Sequence, residues 1–140
     1  MSSSRPLPAV IGPTENALRA LLTKILARTP IKTYTAWVVL NAASGAAASA
    51  AVGPWRDAVA DALKAELSQV DEVVAKLCSA GLLSPEGSMT ARGAAELAAA
   101  RANVLAATSQ LVDGLSEEAQ ATARHVLDHV RRQAEAQLRL

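Results

Sequence analysis

Apolar residues in this chain recur three and four positions apart, and the runs are cut at Thr29-Pro30, before Pro54, at Gly81 and at Gly114. That period places apolar side chains along one face of an α-helix. The chain therefore reads as a series of amphipathic helices joined by short turns. Leu18, Leu21, Leu22, Ile25 and Leu26 mark the first, predicted from about Pro13, whose fixed φ suits a first helical turn, to about residue 29. The dozen residues before it, with Pro6 and Pro8 among serines, read as a flexible arm over 1–12.

Thr33 is placed to cap a second helix that carries Trp37 and Leu40 on one face. The alanine-serine run at 44–52 fits either a helical turn or a loose loop. Pro54 opens a third helix to about Lys64, with Val59 and Leu63 turned inward. Ser68 begins a fourth, with Asp71 three residues on in a capping-box pattern and Val70, Val73, Val74 and Leu77 as its buried stripe. Gly81 is its expected stop. Residues 82–84 and 88–89 read as two very short strands around Pro85-Glu86-Gly87. Thr90 caps a long fifth helix that Gly114 breaks. Ser116-Glu117-Glu118 starts a sixth, with Val126, Leu127, Val130, Ala134 and Leu138 along its apolar face.

Composition sharpens this reading. Of 140 residues 51% are apolar, yet Phe is absent and Trp37, Trp55 and Tyr34 are the only aromatics. Alanine favours helix because it loses no side-chain entropy. A core of such small side chains is thin, so further apolar burial between subunits is expected. The length fits one domain over 13–140. A single cysteine, Cys78, excludes an internal disulfide and a multi-cysteine metal site. Neither a secretory signal nor an apolar run of membrane-spanning length is present, so a cytoplasmic location, no membrane partner and no cofactor are expected.

The segments TYTAWVVLNAA (33–43), VDEVVAKLCSAGLLS (70–84), MTARGAAEL (89–97) and LSEEAQATARHVLDHV (115–130), in that order, resemble the MarR family of transcription regulators. The likeness runs from Ile11 to Leu138, and a plain helical bundle is the rival architecture. The resemblance implies a mainly α, winged helix-turn-helix fold with a minimal two-stranded wing at 82–89 and a core at about 33–92. Helices at about 13–29 and 91–139 would form a dimerisation region. It also implies a ligand-responsive, DNA-binding homodimer whose fourth helix enters the major groove of double-stranded DNA. Arg56, Ser68, Gln69, Lys76 and Arg92 are the expected DNA contacts. A small molecule would lie near Arg28, Lys32, Tyr34, Trp37 and Asn41, an aromatic wall with a few polar groups. Trp37 and Tyr34 equally suit a plain core role, and Trp55 either lines a pocket or covers the core.

Charge weighs against strong DNA binding. From residue 54 to 92 the cations are Arg56, Lys64, Lys76 and Arg92, against Asp57, Asp61, Glu66, Asp71, Glu72 and Glu86. Non-specific affinity comes from neutralising phosphates, and here acids outnumber bases. The wing tip carries Glu86 where family wings carry an arginine. The alternative function is thus a scaffold that has lost DNA binding and serves as a small-molecule-binding protein or biosynthetic enzyme. His125 and His129 share a helical face but have no obvious third ligand, so no metal is expected. Cys78 sits on a buried stripe, where a thiol behaves as a small hydrophobe. No catalytic constellation is present, and an enzyme is the less favoured reading.

Overall fold

The computed structural model describes residues 5–49 and 55–140. Six helices follow in order: α1 (Leu7–Leu26), α2 (Tyr34–Ser49), α3 (Trp55–Leu63), α4 (Leu67–Ser79), α5 (Ala91–Leu111) and α6 (Glu117–Leu138). The chain divides into two compact units, Met1–Leu105 and Ala106–Leu140.

In the first unit α2 is the central element, packed on α1, α3 and α4, while α3 packs on α4. Leu26, Leu40, Leu82, Leu83 and Leu97 are fully enclosed, and Ala36, Ala43, Ala60 and Ala100 fill the spaces between elements. Each enclosed leucine contributes about 2 kcal/mol relative to exposure. Trp37 and Trp55 are half-buried against this cluster, so Trp55 covers the core. No described polar or charged residue is buried.

Local chemistry explains the helix ends, and several differ from expectation. α1 begins at Leu7, not near Pro13, so residues 7–12 of the expected arm are helical. Pro8 lies in the first turn, where its missing N–H has no helical partner to lose. Pro13 lies inside α1, and next to it the Thr14 hydroxyl donates to the Val10 carbonyl at 2.9 Å. Thr33 caps α2 as expected, its hydroxyl accepting from the Ala36 N–H at 3.1 Å. α2 runs on through Ser49, making 44–49 helical; the rest of the ambiguous run, and Pro54, lie outside the described residues. α4 starts at Leu67 rather than Ser68, because Glu66 is its cap and the Gln69 side chain reaches back to accept the Glu66 N–H at 3.0 Å.

The two-stranded wing is not formed, and the fold is all-helical rather than winged among the described residues. Only a single bridge joins Leu83 and Met89. The reason is how little chain remains between two helix ends. Gly81, with φ +79°, ends α4, and the Leu82 N–H is taken by the Leu77 carbonyl at 3.0 Å. The Ser84–Gly87 turn closes with Gly87 N–H donating to the Ser84 carbonyl at 2.8 Å. Thr90 is already occupied as the α5 cap, accepting from the Gly93 N–H at 2.9 Å. Leu82 and Leu83 are drawn into the core instead of a ladder.

The Thr90-Ala91-Arg92-Gly93 segment fastens α5 to the end of α4. The Thr90 hydroxyl donates to the Gly81 carbonyl at 2.7 Å, and the Arg92 guanidinium donates to the Ala80 carbonyl at 2.9 Å. Gly93 lies so close that a Cβ there would overlap the Leu82 carbonyl.

In the second unit, Gly114 takes φ +86° and Ser116 caps α6 by accepting from the Ala119 N–H at 3.0 Å. Glu117 and Glu118 occupy the first turn. Arg124 pairs with Glu117 at 3.2 Å, and Arg131 reaches both Asp128 at 3.2 Å and Glu135 at 2.9 Å. The Asp128 hydrogen bond first, then the Glu135 charge, raises the Arg131 pKa above its ordinary value. None of the residues of α6 is buried: Val126 and Val130 are half-covered, while Leu127 and Leu138 are exposed. No described helix is long and apolar enough to cross a membrane.

Candidate functional site

The site is organised by the three-residue turn between α3 and α4. Lys64 adopts φ +53°, which reverses the chain while the Ala65 N–H donates to the Ala60 carbonyl at 2.9 Å. α4 then sets Val70, Val74 and Leu77 into the core and leaves Ser68, Gln69, Asp71, Glu72, Ala75, Lys76 and Ser79 exposed.

The five expected DNA contacts are placed on different elements. Ser68, Gln69 and Lys76 project from α4. Arg56 is bound to Asp71 at 3.1 Å, lies over the Trp55 ring and abuts Gly87, so it joins α3, α4 and the turn after Leu83. Arg92 is committed to the α4 carboxyl end. Pairing with Arg56 offsets the Asp71 charge, which leaves Glu72 and Lys76 as the charges on the α4 face and makes that face neutral.

Behind α4, an open cleft of about 690 Å³ runs between α1, the start of α2, the α3–α4 turn and the start of α4. Tyr34 forms part of its wall with the Arg19 guanidinium 4.8 Å above the ring centre. Glu15 accepts from the Arg19 Nε–H at 2.8 Å. Lys64, Gln69 and Glu72 supply further polar groups, and Leu63, Val70 and Val73 the apolar surface. A volume of this order, with mixed lining, suits a small organic molecule.

The expected ligand residues are split by the fold. Tyr34 faces this cleft, and Lys32 lines a separate hollow. Trp37 packs on the core. Asn41 donates to the Trp37 carbonyl at 2.8 Å and accepts from Arg101 at 2.9 and 2.7 Å, which ties α2 to α5. Arg28 lies exposed just past α1 and lines neither cavity. Glu15 and Arg19 went unforeseen. They occupy the polar side of the α1 stripe, and no local pattern signals that this side meets Tyr34.

Among the described residues no group of three or more His, Cys, Asp or Glu is placed to hold a metal, and His125 and His129 are exposed. Cys78 is half-buried with its thiol 3.1 Å from the Ser84 carbonyl. Comparison with protein-family models, curated proteins and solved structures finds no match for this chain.

Proposed function

We propose that this chain is a ligand-responsive DNA-binding transcription regulator that acts as a homodimer and is MarR-like in the order of its segments. The observation that carries the reading is the α3–turn–α4 pair, in which three residues reverse the chain and one whole side of α4 is left to solvent with Ser68, Gln69, Lys76 and Ser79 on it. Hydroxyl, amide and ammonium groups on an exposed helix face are the donors that base edges and phosphates require. The cleft beside α4 supports ligand response, since Gln69, Val70, Glu72 and Val73 line it and a bound molecule would bear on the position of the helix. The uncovered leucines of α6 support a dimer. Two such α4 helices would meet half-sites about one helical turn apart, about 34–36 Å.

The neutral α4 face implies modest affinity. Binding of duplexes tiled across the region upstream of the chain's own coding sequence, followed by fluorescence anisotropy, should appear at about 50 mM salt and fade by about 200 mM. Lys76→Ala should weaken it. Absence of any complex at low salt would sink the reading. The cleft together with the missing positive face favours one alternative: a small-molecule-binding protein or biosynthetic enzyme that does not touch DNA. That reading requires a ligand at Tyr34 whose affinity Arg19→Ala lowers.

A further inference from the structure

Charge is spread unevenly around the cleft between α1, the start of α2 and the α3–α4 turn. Arg19 is held by Glu15, and Lys64 pairs with Asp61 at 3.8 Å, so each cation of the lining already has a carboxylate. Glu72 lines the same cleft and makes no ion pair among the described residues. Lys76, one turn further along α4, lines a separate hollow with Lys32. Glu66, the α4 cap, directly follows Ala65 of the lining and adds a negative charge at its edge. The acids in and beside the cleft, Glu15, Asp61, Glu66 and Glu72, thus outnumber Arg19 and Lys64. The same cleft offers Leu63, Val70 and Val73 as apolar wall and Tyr34 as an aromatic one. A carboxylate without a partner favours a positive head, and the wall favours removal of a hydrocarbon from water.

We infer that this cleft selects an organic cation, a protonated amine on an apolar body, with its charge on Glu72 and its body against Tyr34, Leu63 and Val73. The inference rests on the proposed reading of the cleft as the ligand site. Under the regulator reading the sign of the response follows. Glu72 and Lys76 together leave the α4 face neutral. A bound ammonium covers Glu72 and leaves Lys76 uncompensated, so the face becomes positive and the ligand strengthens duplex binding.

The test titrates the full chain with phenethylamine, protonated at neutral pH, and with uncharged phenethyl alcohol of similar shape, followed by calorimetry and backbone amide shifts. The amine should shift the amides of Tyr34, Leu63 and Val73 and bind about fivefold more tightly than the alcohol. Glu72→Gln should abolish that difference, and Glu72→Asp should keep it. Equal affinity for the two probes, a preference that survives Glu72→Gln, or no shift of the cleft amides with the amine overturns the inference. In a duplex arm at about 50 mM salt, the amine should lower the Kd of the DNA complex about threefold for the wild-type chain and leave that of Glu72→Gln unchanged. A wild-type Kd that rises or stays the same overturns the sign of the response. A chain that selects the amine through Glu72 yet binds no duplex keeps the cation site and loses the regulator reading. One that binds duplex but takes both probes equally loses the cation site and keeps the regulator reading.

Discussion

The two units use the same alanine- and leucine-rich vocabulary to opposite ends. In the first, Leu26, Leu40, Leu82 and Leu97 are enclosed by neighbours from different elements. In the second, α6 carries a regular apolar stripe and buries none of it. The contrast teaches that periodicity specifies a helix and its apolar side, but not whether anything covers that side. The 22-residue α6 draws its local support from the Ser116 cap, the acidic first turn and the pairs of Arg131 with Asp128 and Glu135. Such terms are each worth a few tenths of a kcal/mol to about 1 kcal/mol, and helices held by them alone are marginal in water. A second copy that covers Leu127 and Leu138 is the homodimer proposed above.

The comparison breaks if the first unit tolerates loss of a core side chain. Leu40→Ala should lower unfolding free energy by about 3–4 kcal/mol, read from a chemical denaturation curve. A loss under about 1 kcal/mol would mean that the enclosed cluster is not the source of its stability. Gly93→Ala probes the close approach of α5 to Leu82 in that unit. Helix propensity alone favours the change by about 1 kcal/mol, whereas overlap with the Leu82 carbonyl should turn it into a loss of about 2–3 kcal/mol. A raised midpoint would show that the α4–α5 junction yields.

For the second unit the decisive readout is association. Leu127→Lys should raise the dimer dissociation constant at least about tenfold, or about 1.4 kcal/mol, in sedimentation velocity. If the wild-type chain sediments as a monomer at every concentration, α6 has no second copy as its cover. The smallest effect belongs to Ser116→Ala, which removes the cap and should cost α6 about 1 kcal/mol, seen as faster amide exchange in its first turn.

Much of this fold was legible because caps and breakers act locally. Thr33, Thr90 and Ser116 cap helices where their side chains suggest, and Gly81 and Gly114 end them with positive φ. The errors arose where two local rules competed. A Pro13 start was outbid by Pro6 and Pro8, which suit an earlier first turn, and Ser68 lost the α4 cap to Glu66 because Gln69 lay three residues further on. The wing failed for a non-local reason: Leu82 and Thr90 were already claimed by the helices on either side. The candidate site was the least legible part, since it depends on which polar residues meet across elements.

The sequence by itself determined six helices, several of their ends and the apolar side of each, because 3.6-residue spacing and capping are properties of neighbours along the chain. Only the tertiary structure decided that the order resembling a winged helix closes without a wing. It also brought Arg19 over Tyr34, bound Arg56 to Asp71, and set Lys32 and Lys76 around one hollow. Those pairings join residues far apart in sequence, and distance along the chain carries no information about them until the helices pack.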